Sequence, residues 1–81
     1  MLEINNENDL YNCDYLSIRK LIISVDNNIN LLLDKLYKFT NLQLLDLRYN
    51  QITEIKGLDK LINLKELYLL NNKIKKIILV L

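Results

Sequence analysis

The sequence predicts an α/β fold, a solenoid of short parallel strands joined by 3₁₀-like or helical return segments. Three observations predict it. "LQLLDLRYNQITEI" (residues 42–55) and "LKELYLLNNKIKKI" (residues 64–77) share Leu42/Leu64, Leu45/Leu67, Leu47/Leu69, Asn50/Asn72, Ile52/Ile74 and Ile55/Ile77 at an interval of 22, and little between. Inside one unit, Leu45-x-Leu47 alternates with period two, so both leucines point to one side of a short strand. Beyond Asn50 the spacing becomes three, through Ile52, Ile55, Leu58, Leu61 and Leu64, which suits a tight return path with one apolar side.

A strand and a return segment repeated at constant length must stack, giving a parallel sheet with right-handed crossovers. Equivalent leucines then form a ladder, with neighbouring strands about 4.8 Å apart. Asn50 stands where the chain leaves the strand, and its amide has enough donors and acceptors to satisfy backbone groups stranded by the bend. Stepping back by 22 places Ile23, Val25 and Asn28 opposite Leu45, Leu47 and Asn50, so Asn28, Asn50 and Asn72 are expected to form a second ladder. The same step places Leu33, Leu36 and Phe39 opposite Ile55, Leu58 and Leu61, while Asn30 and Lys20 break the pattern at the places of Ile52 and Leu42. Leu2 and Ile4 precede Ile23 and Val25 by 21, and Leu10, Cys13 and Leu16 resemble Leu33, Leu36 and Phe39 with a shift of one. The expected organisation is a single domain, 1–81. Within it 1–19 is a degenerate unit, 20–41 a degenerate repeat, 42–63 a full repeat and 64–81 a truncated one.

This pattern resembles the leucine-rich repeats, whose signature L-x-x-L-x-L-x-x-N-x-I/L is met by "LQLLDLRYNQI" and "LKELYLLNNKI". The 22-residue length with Ile-x-x-Leu-x-x-Leu following is similar to the subclass typified by a regulatory subunit of protein phosphatase 1. The resemblance implies a curved solenoid with its sheet on the concave face, the return segments on the convex face, and a concave face that binds another protein. A helical hairpin is the competing reading, because "LLLDKLYKF" and "GLDKLINLKELYLL" carry leucines at spacings of three and four, with Gly57 between.

At 81 residues the chain is near the lower limit for a self-sufficient core, but 51% apolar residues place it above the disorder range. A net charge of +1 calls for neither nucleic acid nor an acidic membrane. Lys73, Lys75 and Lys76 form the one basic concentration, with no Arg among them and little aromatic surface interleaved, so they read as a solvated edge. Cys13 is alone, and "MLEINNENDL" has acidic and amide residues where a signal peptide needs a basic start and an apolar run. An intracellular, cytoplasmic location is expected.

Catalysis is not expected. The chain has no His, one Cys and one Gly, which removes the usual general base, thiolate zinc sites and a phosphate-cradling glycine loop. No cofactor or metal is called for. Asp46 and Glu66, with Arg48 alongside, read as a solvated salt-bridge group rather than an acid/base pair. Cys13, at a core-type position, reads as a small buried residue.

What remains is the outward side of the sheet. Its expected columns are Ile22, Leu44 and Glu66; Ser24, Asp46 and Tyr68; and Asp26, Arg48 and Leu70. Leu44, Asp46, Arg48, Glu66, Tyr68 and Leu70 are the candidate protein-binding residues, with Tyr49 one place beyond. A non-catalytic protein-interaction module is the leading reading. The competing one is a structural remnant, or a fragment of a longer array, without a dedicated ligand. The end "IILVL" lacks the polar cap a solenoid needs, so self-association, a partner or further residues are expected to cover it.

Overall fold

A computed structural model of the chain describes residues 1–11 and 13–77. In chain order it contains strands β1 (Leu2–Ile4) and β2 (Lys20–Ile23), helix α1 (Ile29–Leu33), and strands β3 (Leu44–Asp46), β4 (Glu54–Ile55), β5 (Glu66–Tyr68) and β6 (Lys76–Ile77). The order β1-β2-β3-β5 makes a four-stranded sheet whose neighbouring strands all pair in parallel. The helical hairpin is thereby excluded. "LLLDKLYKF" supplies part of α1 and a 3₁₀ turn at Leu36–Lys38, while the second leucine-rich stretch becomes turns and β5.

Leu45 stands opposite Leu67, the expected step of 22. The earlier steps differ. Leu21 stands opposite Leu45 and Leu2 opposite Leu21, steps of 24 and 19. Leu21 and Ile23 are therefore the partners of Leu45 and Leu47, not Ile23 and Val25 as a uniform interval predicts. The cause lies in the return segment of the second unit. Leu33, Leu36 and Phe39 are buried and keep the 22-residue step to Ile55, Leu58 and Leu61, so two extra residues sit between Ile23 and Leu33, where the chain winds into α1. The breaks at Lys20 and Asn30 mark this shift. Ile18, 24 before Leu42, packs against the core, and Ile29 supplies the buried side chain that Asn30 cannot.

The steps of three have a direct backbone counterpart. Phe39 N–H bonds Leu36 C=O at 3.0 Å and Leu42 N–H bonds Phe39 C=O at 3.1 Å; Leu61 and Leu64 repeat these bonds to Leu58 and Leu61, both at 3.1 Å. Each such turn brings the next third residue inward. One part of the return path departs from the expected 3₁₀ form. Residues 54–55 are extended, and Glu54 and Ile55 of β4 pair in parallel with Lys76 and Ile77 of β6.

The core holds Ile4, Leu21, Ile23, Leu42, Leu45, Leu47, Ile52 and the return-segment residues Leu32, Leu33, Leu36 and Phe39, all essentially inaccessible. Burial weakens toward β5, which has no strand on its far side among the described residues. Leu67 is 38% exposed, where Leu45 is fully covered. The expectation that both are equal core positions is corrected accordingly. Ile78, Leu79, Val80 and Leu81, on which the expectation of an uncapped end rests, lie outside the described residues.

Two asparagines stitch the units together. Asn50 Oδ1 accepts from Val25 N–H at 3.0 Å, while its Nδ2 donates to Ile23 C=O at 2.8 Å and Leu47 C=O at 2.9 Å. Asn72 repeats the pattern one unit later, accepting from Ile52 N–H at 3.1 Å and donating to Leu47 C=O at 2.8 Å and Leu69 C=O at 2.9 Å. Asn28 is not the third rung. The two-residue shift carries it to the start of α1, where it adopts a left-handed conformation (φ 64°) with no side-chain capping bond. A further pair recurs at the same interval: Asn41 and Asn63, 22 apart, donate to Leu16 C=O at 2.9 Å and Thr40 C=O at 3.0 Å, each in the preceding unit.

Candidate functional site

Alternation along the strands puts Leu21, Leu45 and Leu67 on one side of the sheet and their sequence neighbours on the other. The register aligns Lys20, Leu44 and Glu66 in one column of the outer face, and Glu3, Ile22, Asp46 and Tyr68 in the next. The predicted columns are thus right for Leu44/Glu66 and Asp46/Tyr68 but misplace Ile22 and Ser24, because they assume an interval of 22 throughout.

Asp46 is the residue whose setting differs most from expectation. It stands between Ile22 and Tyr68 in its column and is only 8% exposed, not solvated. Arg48 Nε donates to its Oδ1 at 3.0 Å and Nη2 to its Oδ2 at 2.7 Å, a bidentate pair. The Arg48 backbone N–H adds a third bond to Oδ1 at 3.1 Å, closing a turn at the end of β3. Arg48 hydrogen bonds hold the Asp46 carboxyl below the usual carboxylate range, against the opposing effect of burial.

Arg48 does two things at once. Besides gripping Asp46, its guanidinium carbon lies 5.3 Å from the centre of the Tyr68 ring, within cation–π range. Tyr68 is 39% exposed, and its hydroxyl donates to Glu66 Oε1 at 3.1 Å, which raises its pKa above the ordinary phenol value. Glu66, Tyr68, Arg48 and Asp46 therefore form one connected surface network. Leu44 is half-buried beside it, and Leu70, 60% exposed, lies just past β5.

Tyr49 borders this patch in an unusual backbone state. Its φ is 60°, the left-handed region, as is that of its counterpart Asn71 at 59°. Asn takes that conformation readily and Tyr only at a cost, and the Tyr49 side chain is 65% exposed. The signal in the sequence was the aligned pair Tyr49/Asn71, since an Asn before the turn asparagine marks a left-handed position.

Among the described residues no group of three or more His, Cys, Asp or Glu side chains is placed to hold a metal ion. No helix among them is long and apolar enough to cross a membrane. Cys13 is partly buried, its thiol donates to Leu10 C=O at 3.4 Å, and burial pushes its pKa up.

Residues 40–79 match the family described as "Leucine Rich repeats (2 copies)". No curated protein matches the chain. Leucine-rich repeats generally mediate protein–protein contact and are generally non-catalytic.

Proposed function

We propose that this chain, with leucine-rich repeats at residues 40–79, is a non-catalytic module that binds a protein partner through the outer face of its four-stranded sheet. The observation that supports the reading best is the locked network of Asp46, Arg48, Tyr68 and Glu66. Its polar groups are bonded to one another, so the face presents a rigid Tyr ring flanked by Leu44 and Leu70, with little side-chain freedom left to lose on binding. Aromatic and Arg side chains are the residue types that concentrate binding energy in interfaces. The 22-residue step between β3 and β5 supports placing the repeats with the subclass typified by a regulatory subunit of protein phosphatase 1, and the whole chain as a solenoid with this face concave.

The test is affinity capture with the intact chain, followed by measurement of the captured protein against variants. Removing Arg48 is not neutral for the fold, as a simple surface reading suggests, because it leaves the covered Asp46 carboxylate uncompensated. Tyr68→Ala with Leu70→Ala is the cleaner pair. Binding should weaken at least about tenfold, with unfolding nearly unchanged, while Lys60→Ala on the return path is silent. A partner that holds the Tyr68/Leu70 double variant at wild-type strength refutes the reading.

A further inference from the structure

The return segments of the first two units meet in a cleft of about 230 Å³ lined by Leu10, Tyr11, Tyr15, Lys35, Tyr37 and Lys38. One wall comes from the 3₁₀ turns Glu7–Leu10 and Tyr15–Ser17, the other from the 3₁₀ turn Leu36–Lys38. The floor is fixed. Tyr15 donates its hydroxyl to Leu10 C=O at 2.9 Å and stands edge-on to Phe39, with ring centres 5.1 Å apart at 80°. Tyr11 and Tyr37 are each about half exposed at the rim.

The two lysines are not equivalent. Lys35 Nζ lies 2.6 Å from Glu7 Oε1 and 2.9 Å from the Tyr11 hydroxyl, so its charge is answered within the chain. Lys38 makes no ion pair among the described residues. Its Nζ sits over two rings instead, 5.2 Å from the centre of Tyr15 and 6.0 Å from that of Tyr37. The rings hold a cation at the cleft rather than letting it range through solvent.

We propose that this cleft is a second docking site, taking an acidic peptide segment with one apolar side chain against Leu10 and the tyrosine rings and a carboxylate on Lys38. Charge complementarity selects the occupant. A carboxylate supplies the counter-ion that Lys38 lacks among the described residues, and a second cation is opposed by Lys38. Size selects it too, since the cleft is smaller than the ~300–1,000 Å³ of sites that enclose a whole drug-sized molecule, yet roomy enough for a side chain. A charge alone gains little at so exposed a lysine, and an apolar group alone has nothing to orient it, so the segment needs both. Because the rings already hold Lys38 in place, less freedom is lost on binding. The site lies on the return segments, apart from the outer face of the sheet, and does not depend on that face binding anything.

The test titrates the full ¹⁵N-labelled chain with three blocked peptides, Gly-Glu-Leu-Glu-Gly, Gly-Lys-Leu-Lys-Gly and Gly-Glu-Ser-Glu-Gly, followed by NMR. The acidic leucine peptide should bind with a dissociation constant on the order of 0.1–1 mM and shift the amides of Leu10, Tyr11, residues 13–17 and residues 35–39. Lys38→Gln and Tyr37→Ala, both surface changes, should each weaken it by about fivefold or more, and Tyr68→Ala should not change it. Equal binding of the lysine peptide overturns the proposal. So do wild-type affinity in Lys38→Gln, shifts confined to the sheet face, or no binding at about 5 mM peptide.

Discussion

Replacing Asn50 by Ala should cost more than its small size suggests, and the structure gives the magnitude. The Asn50 side chain is the partner of Val25 N–H and of the Ile23 and Leu47 carbonyls, at 2.8–3.0 Å, in a residue only 5% exposed. Each buried backbone group left without a partner costs about 1–3 kcal/mol. Leu47 C=O keeps its bond from Asn72 Nδ2 at 2.8 Å, and Val25 is only half-buried, so water recovers part of its share. With Ile23 C=O the main group orphaned, a net loss of about 1.5–4 kcal/mol is expected. That is a large fraction of the whole for a domain this small, whose total stability is ~4–12 kcal/mol. Urea unfolding followed by circular dichroism reads it directly; with a slope near ~1–1.5 kcal/mol/M the midpoint should fall by roughly 2 M. Asn50→Asp separates donor from shape. The introduced carboxylate still accepts from Val25 N–H but cannot donate, and it faces two carbonyl oxygens, so at neutral pH it should be at least as damaging as Ala. Those carbonyls raise its folded pKa above its unfolded value of about 3.9, so stability should return as pH falls through the folded pKa. An unfolding free energy for Asn50→Ala within about 0.5 kcal/mol of wild type, or an Asn50→Asp protein as stable as wild type at pH 7, would refute the reasoning.

Tyr49→Asn should stabilise the fold by about 0.5–1 kcal/mol in the same urea assay, because Asn accepts the left-handed backbone at φ 60° that Tyr resists. Leu47→Ala, at a fully covered position, should cost about 3–4 kcal/mol, and Leu67→Ala, 38% exposed at the sheet edge, no more than about 1.5; equal losses would contradict the graded burial along the stack. Arg48 depresses the Asp46 pKa in the folded state, so the contribution of the pair is present above about pH 4 and lost as pH falls through the folded value. The stability difference between wild type and Asp46→Asn, about 1 kcal/mol at pH 7 given the half-exposed Arg48, should therefore shrink toward zero in acid.

What the sequence made legible was whatever two neighbouring units share. Leu45/Leu67 and Asn50/Asn72 could be aligned by eye, and both the register of β3 on β5 and the asparagine bonds follow that alignment. The first half aligns two residues out of register, because an interval measured on two intact units does not hold for one with two more residues. Lys20 at the place of Leu42 was the trace of that shift. Asp46 was assigned to solvent because alternation tells which face a residue takes, not how deeply its neighbours cover it. Ile22, Tyr68 and the returning Arg48 decide that, and they come from three different strands or turns. The tyrosine–lysine cleft was invisible for a different reason. Tyr11, Tyr15, Tyr37 and Lys38 belong to the units that match the repeat least, where no second copy marks which positions recur.

Four asparagines bond back into the preceding unit, and that direction has a consequence for how the protein is made; Asn30, whose Oδ1 accepts from Thr53 N–H at 3.2 Å, is the exception. Asn41, Asn50, Asn63 and Asn72 each reach back to a backbone group 20 to 27 residues earlier in the chain. A unit leaving the ribosome therefore emerges with its turn carbonyls and amides still bonded to water, and the groups that complete it are not yet synthesised. At ~5–20 residues per second the wait is about 1–5 s. Val25 N–H is finished only when Asn50 arrives, and Ile52 N–H only when Asn72 does. During synthesis these bonds can therefore close only with a lag of one unit, each newcomer completing the one before it.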